Sequence, residues 1–230
     1  MSFNTNIWKR ISKKEKIYFI TFLSLVGILI LSFLLYFFIP RLTYTYDSDS
    51  DTYIVKKAYG LSNSYTIPSM HNNKEVSAIG PRAFEGMSNL EEIIFESDSN
   101  LITIDRRAFY ETGLTSITLP DSVTYIYEDA FAYSNLESFY TSSNSCYEDV
   151  AGSTFFYCQN LKNVEIPNCK TIGSLAFYNC LNLESLTFPN NDVIIYSKAF
   201  MNDTITLYVI SNTYFHTDYD YNATITIVLI

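Results

Sequence analysis

The chain has two histidines, one tryptophan and seven glycines among 230 residues. Neither His71 nor His216 stands at a spacing from serine and acid that would build a catalytic triad. No glycine-rich phosphate loop and no G-x-S-x-G elbow occurs. The sequence therefore offers no catalytic residue, no cofactor site and no sign of an enzyme. So few glycines also exclude a fibrous or loop-dominated chain. The four cysteines, Cys146, Cys158, Cys169 and Cys180, include no C-x-x-C pair, and no histidine lies at ligand spacing from them, which argues against zinc. Positive charge is scarce in the body. After residue 16 there are 10 Lys/Arg against 23 Asp/Glu, within a net charge of −9 for the whole chain. An acidic body repels phosphate, so nucleic acid is excluded as a partner.

The missing positive charge sits at the start. Lys9, Arg10, Lys13, Lys14 and Lys16 oppose only Glu15. Residues 17–39 then run without a charge and with only Thr21, Ser24 and Ser32 as small polar residues. As a helix this run is about 34 Å long, enough to cross a ~30 Å hydrocarbon core. Trp8, Tyr18 and Tyr36 lie near its ends, where aromatic rings favour the interface, and Pro40 stops it. A cleaved signal peptide would carry a shorter apolar region ending in small residues. Here the run ends Phe37-Phe38-Ile39-Pro40-Arg41. The expectation is a single-pass membrane protein with a cytoplasmic basic tail at 1–16, a transmembrane helix at 17–39 and the remainder outside the cell. Residues 40–52 read as an acidic linker. Its Asp47, Asp49 and Asp51 match the first half of a calcium loop, but Thr52 stands where the loop needs glycine and Ala58 where it needs glutamate.

Aromatics are plentiful, with 20 Tyr and 17 Phe. Phe84, Phe109, Phe131, Phe155, Phe177 and Phe200 recur at intervals of 22 to 25 residues. All follow alanine except Phe155, which follows Thr154. Five residues before each lies Ile79, Ile104, Ile126, Val150, Ile172 or Ile195, and eight before lies a second apolar residue in all but the last unit, which has Asp192. After each turn a leucine opens an alternating strand, as in Leu114, Ile117, Leu119 and in Leu183, Leu186, Phe188. Pro68, Pro120, Pro167 and Pro189 punctuate the strands, since proline cannot extend a ladder. A period in this range marks one unit that buries its apolar face by stacking on copies of itself.

These residues resemble the BspA-like leucine-rich repeats, most fully over 169–189, CKTIGSLAFYNCLNLESLTFP. Val76–Phe95 and Val123–Phe139 match more loosely, and the stretch around Tyr65-Thr66-Ile67-Pro68 looks like an opening repeat. The resemblance spans about residues 53–210. It implies a mainly β fold, a parallel β-solenoid with short turns behind one transmembrane helix, of the kind found on surface proteins linked to adhesion. The fourth repeat departs, with Thr154 for alanine, Thr141 for a buried aliphatic and an insert-like 140–149. Residues 211–230 show no repeat signature and read as a C-terminal cap, with the β-branched, apolar run 223–230 as a terminal strand over the open end.

Cys158 and Cys180 stand three residues after their phenylalanines, so adjacent coils stack them at disulfide range. Cysteine is a common filler there, which favours buried free thiols and leaves the disulfide open. Sequons start at Asn202 and Asn222. The remaining candidate is a surface. Between the buried strand residues, Glu92 and Ile94, Ser116 and Thr118, Ser138 and Tyr140, Asn163 and Glu165, Ser185 and Thr187, and Thr206 and Tyr208 should point outward along one sheet face. The expected function is binding of proteins or extracellular matrix along that face. The alternative is a structural spacer with no ligand of its own, because a face rich in Ser and Thr also suits plain solvation.

Overall fold

The computed structural model of the protein describes residues 12–141, 149–188, 193–209, 214–215 and 224–229. Helix α1 spans Lys13–Phe38, four residues earlier at its start than the uncharged run. Ser12 explains the earlier start. Its hydroxyl accepts from the Glu15 N–H at 3.3 Å, and the Glu15 carboxylate accepts from the Ser12 N–H at 2.9 Å, a reciprocal cap. These bonds hold the Glu15 carboxyl below its ordinary value. Thr21, Ser24 and Ser32 turn their hydroxyls onto carbonyls three or four residues back, so none of these three hydroxyls is left unmet. Most of its described apolar side chains are exposed, Leu29 to 67%. It is long and apolar enough to cross a membrane, and the rest of the protein buries none of it.

The segment read as an acidic linker is instead structured. Strand β1 (Arg41–Asp47) pairs antiparallel with β2 (Thr52–Tyr59). The tight turn between them consumes the acidic residues. Asp47 accepts from Ser50 Oγ at 2.7 Å and from the Asp49 N–H at 3.1 Å, while Asp51 binds Lys74 and Tyr46. Alternating residues of β1, Leu42 and Tyr44, lean on the core, which composition alone concealed.

From β2 onward the chain winds as a parallel solenoid with two strand ladders. The first runs through β2, β5 (Lys74–Ile79), β7 (Thr103–Ile104) and β9 (Tyr125–Ile126), then β11 (Asp149–Val150), β13 (Thr171–Ile172), β15 (Ile194–Ile195) and β17 (Tyr214–Phe215). A short β4 (Met70–His71) folds back on β5. The second ladder is built from three sheets set side by side: β3 (Ser64–Ile67) with β6 (Glu92–Phe95); β8 (Ser116–Thr118), β10 (Ser138–Tyr140) and β12 (Asn163–Glu165); then β14 (Ser185–Phe188), β16 (Thr204–Val209) and β18 (Thr224–Leu229). The terminal strand expected within 223–230 is β18, and together with β17 it extends the coil, with Ile194↔Tyr214 and Thr206↔Thr226 in parallel register. Backbone pairing tolerates the loss of the side-chain motif there.

Between the ladders lies the core. The six repeating phenylalanines are fully buried and stack as a column, with ring centroids 5.1 to 5.7 Å apart and planes within 15°. Tyr65 closes the column at one end, edge-on to Phe84 at 5.7 Å. The residues five before each phenylalanine are buried as the spacing predicts. Tyr147 and Asp192, expected at the minus-eight position, lie outside the described residues. The polar departures are satisfied: Thr154 Oγ1 donates to Ala151 O at 2.8 Å and Thr141 Oγ1 to Glu165 O at 3.2 Å.

Each turn adds a third ladder. Two residues per turn take positive φ, two places before and two after the phenylalanine: Arg82 and Gly86, Arg107 and Glu111, Asp129 and Tyr133, Ser153 and Tyr157, Leu175 and Asn179, Lys198 and Asn202. These turns aim successive N–H groups at the next coil. Phe84 N donates to Ala108 O and Gly86 N to Tyr110 O, both at 2.8 Å, and the pattern repeats as Phe155 N to Ala176 O and Tyr157 N to Tyr178 O. Gly113 lets two coils touch, because a Cβ there would lie 2.1 Å from Ser88 O.

Candidate functional site

The parallel register puts the expected face together in two rows. One is Glu92, Ser116, Ser138, Asn163, Ser185 and Thr206; the other is Ile94, Thr118, Tyr140, Glu165, Thr187 and Tyr208. None of the twelve is buried. The rows bond among themselves, Asn163 Nδ2 to Ser138 Oγ at 3.1 Å, and Lys162 meets Glu137 at 3.4 Å beside them. Ile94 is the most open apolar member at 44%, while Tyr140 and Tyr208 are half-buried. The face is short-chained, polar and acidic.

A second surface lies on the turns. Immediately after the buried phenylalanines come Tyr110, Tyr133, Phe156, Tyr157 and Tyr178. All are half-buried except Tyr133, which is 42% exposed. The third ladder holds consecutive turns close, so their rings touch. Tyr133 stacks on Tyr157 at 5.2 Å and Phe156 on Tyr178 at 4.8 Å, with Tyr110 against Tyr133 at 5.4 Å and Tyr157 against Tyr178 at 5.4 Å. Arg107 lies over the Tyr110 ring at 4.6 Å and is held by Asp129 at 3.3 Å and Glu85 at 3.9 Å. Desolvation first, then Glu111, raises the Tyr110 phenol above its ordinary value; desolvation does the same at Tyr133, and the neighbouring Tyr178 at Tyr157. The Tyr110, Tyr133 and Tyr157 phenols thus stay neutral at physiological pH. Sequence reasoning missed it, although an aromatic one or two places after the turn phenylalanine in four successive repeats was a readable signal.

The described cysteines are not reactive centres. Cys158 and Cys180 are buried free thiols whose Sγ donate to Phe131 O and Phe155 O, each at 3.1 Å. They belong to a column three places after each phenylalanine that also holds Thr112, Ser134 and Asp203. Burial pushes the Cys158 thiol up to about 12, and Cys169 likewise. Such thiols are poor nucleophiles and poor metal ligands at neutral pH. Cys146 lies outside the described residues. Among the described residues, no three His, Cys, Asp or Glu side chains converge as a metal site. His71 is stacked on Tyr44 at 3.8 Å with Tyr53 edge-on at 4.7 Å, a packing role in the first coil. His216 lies outside the described residues, as does Asn222, whereas Asn202 is half-buried in its turn.

Two parallel strand ladders, a stacked phenylalanine column and short turns define a leucine-rich repeat solenoid. The BspA type leucine rich repeat region matches residues 52–168 and 139–222, in six copies. The chain belongs to that family. Among solved structures, the T. pallidum leucine-rich repeat protein TpLRR is 27% identical, covering 64% of this chain and 68% of its own, with a TM-score of 0.58. The pneumococcal vaccine antigen PcpA is 14% identical over 73% of this chain and 68% of its own, at a TM-score of 0.34. A leucine-rich repeat protein from Bacteroides capillosus is 19% identical over 83% and 96%, at 0.30. No curated protein matches the chain.

Proposed function

We propose that the protein is a single-pass membrane protein whose solenoid stands outside the cell and binds a protein partner through the turn-side aromatic belt. The belt carries this reading. Stacked rings present wide, stiff contact area at little entropic cost. The coil does not need them: the turn with Glu85 and Gly86 in the same places donates its ladder bond from Gly86 N to Tyr110 O at 2.8 Å, and Met201 O accepts one from Asn179 N at 3.1 Å. The anchor rests on α1, on its unburied apolar surface and on the basic residues before it. The family's surface proteins support the same placement.

Cells displaying the full chain test this. Protease added to intact cells should remove the solenoid and leave the N-terminal tail. Tyr133→Ser with Tyr157→Ser should weaken attachment to partner cells or matrix tenfold or more, about 1.4 kcal/mol. If Tyr140→Ser with Tyr208→Ser does so instead, recognition lies on the strand face. If neither pair matters, the chain is a spacer, which the short polar residues of the strand face would suit.

A further inference from the structure

The first coil is joined to α1 almost without slack. Only Ile39 and Pro40 separate α1 from β1, so Phe38 and Arg41 lie at most about 11 Å apart. The turn after β2 presses on the same exit. Gly60 has φ +102, and a Cβ on it would lie 2.8 Å from both Ile39 O and Pro40 Cα. Tyr59, Gly60 and Leu61 therefore flank the end of the helix.

That turn is held stiffly. Tyr65 Oη donates to Tyr59 O at 2.8 Å, Ser62 Oγ to Ser64 O at 2.7 Å, and Asn89 Nδ2 to Ser62 O at 2.8 Å. On this frame Leu61 is 65% exposed, more than any other large apolar residue described outside α1. Ile39 and Tyr59 stand exposed beside it. The Arg41 guanidinium lies over the Tyr59 ring at 4.8 Å. The hairpin is polar along its length. Its acidic turn, with Asp47, Asp49 and Asp51, sits at the far end, a seven-residue strand or about 23 Å away. Carboxylates also stand near the patch: Glu91 and Glu92 of the next coil accept from Asn63 and Ser64, just after Leu61, and Glu96 lines a hollow with Pro40, Arg41 and Ser64.

An exposed apolar residue, an aromatic ring and a guanidinium around a helix exit are the groups favoured at a bilayer surface. We propose that this patch docks on the headgroup layer of the leaflet from which α1 emerges. Leu61 and Ile39 reach the acyl boundary, the Tyr59 ring sits at headgroup level, and Arg41 meets lipid phosphates. The contact rests on the membrane-spanning reading of α1. It makes the solenoid a pinned body, not a tethered one, with its coil stack rising from a fixed base.

The full chain in vesicles of neutral and anionic phospholipid tests this. Trp8→Phe removes the one native tryptophan. Single reporters are then placed as Leu61→Trp, Asp49→Trp and Thr118→Trp. The expected result is a blue-shifted reporter at position 61 that loses most of its emission to lipids carrying a quencher near the headgroup. The reporters at 49 and 118 should keep theirs. A chain that resists alkaline carbonate extraction while position 61 stays as unquenched as 118 overturns the docking alone. A chain that carbonate releases overturns the anchor, and the docking with it.

Discussion

Phe155 has no exposed surface, while Phe156 and Tyr157, the next two residues, stand half-exposed on the turn. Both sets of rings stack from coil to coil at similar spacing. They differ in reach. The inner column runs through every turn from Phe84 to Phe200, because each coil must fill the same gap between the ladders. The outer belt runs only from Tyr110 to Tyr178 and gives way to Glu85 and Gly86 at one end and Met201 and Asn202 at the other. A feature demanded by packing recurs in every unit. A feature confined to the middle units answers to something other than packing, which is why the belt carries the binding proposal.

The inner column should be the costlier to break. Phe177→Ala should lower the unfolding free energy by about 3–5 kcal/mol, the usual range for a truncated core aromatic, as read from urea unfolding of the chain in detergent. Because Phe155 and Phe200 both stack on it, the loss should shift the whole transition and not one coil. Gly113→Ala attacks the approach of neighbouring turns. A Cβ against Ser88 O forces backbone apart, at about 3 kcal/mol, the upper end for overpacking. An unchanged midpoint would place that turn farther from its neighbour.

The thiols beside the inner column give a pH test. Unfolded, they ionise near about 8.5, whereas folded Cys158 keeps its proton to about 12. Between those values the unfolded state releases a proton that the folded state retains, so stability falls as pH rises. The slope is up to about 1.4 kcal/mol per pH unit for each such thiol. Unfolding at pH 7 and 10 should show the fall, and Cys158→Ala should make it shallower. Equal slopes in the two proteins would mean that Cys158 meets water. The outer belt should show the smallest effect. Tyr133→Ser and Tyr157→Ser should each change stability by no more than about 0.5 kcal/mol, as surface changes do. A core-sized loss would make the belt part of the packing and remove its claim to a partner.

The inner column was legible because it repeats: Ala-Phe at a steady interval with an isoleucine or valine five places before reads directly as a buried stack. The strand face was legible for the same reason, since period-two alternation fixes which residues point out. The acidic linker was misread because seven residues of β1 carry their burial on Leu42 and Tyr44, too few positions to show a period against Asp47, Asp49 and Asp51. The β-branched run at 223–230 read as a terminal strand and is β18, whereas β17 pairs through backbone and leaves no side-chain motif to read.

By itself the sequence determined the repeat, the buried residues, the long apolar helix and the family, because each follows from periodicity or composition along one chain. Only the tertiary structure decided that Tyr133 meets Tyr157, that Gly60 lies against Pro40 and that three cysteines are sealed from water. Those depend on how far the chain turns per coil and on what stands beside a residue 20 or more positions away, and a linear pattern carries neither.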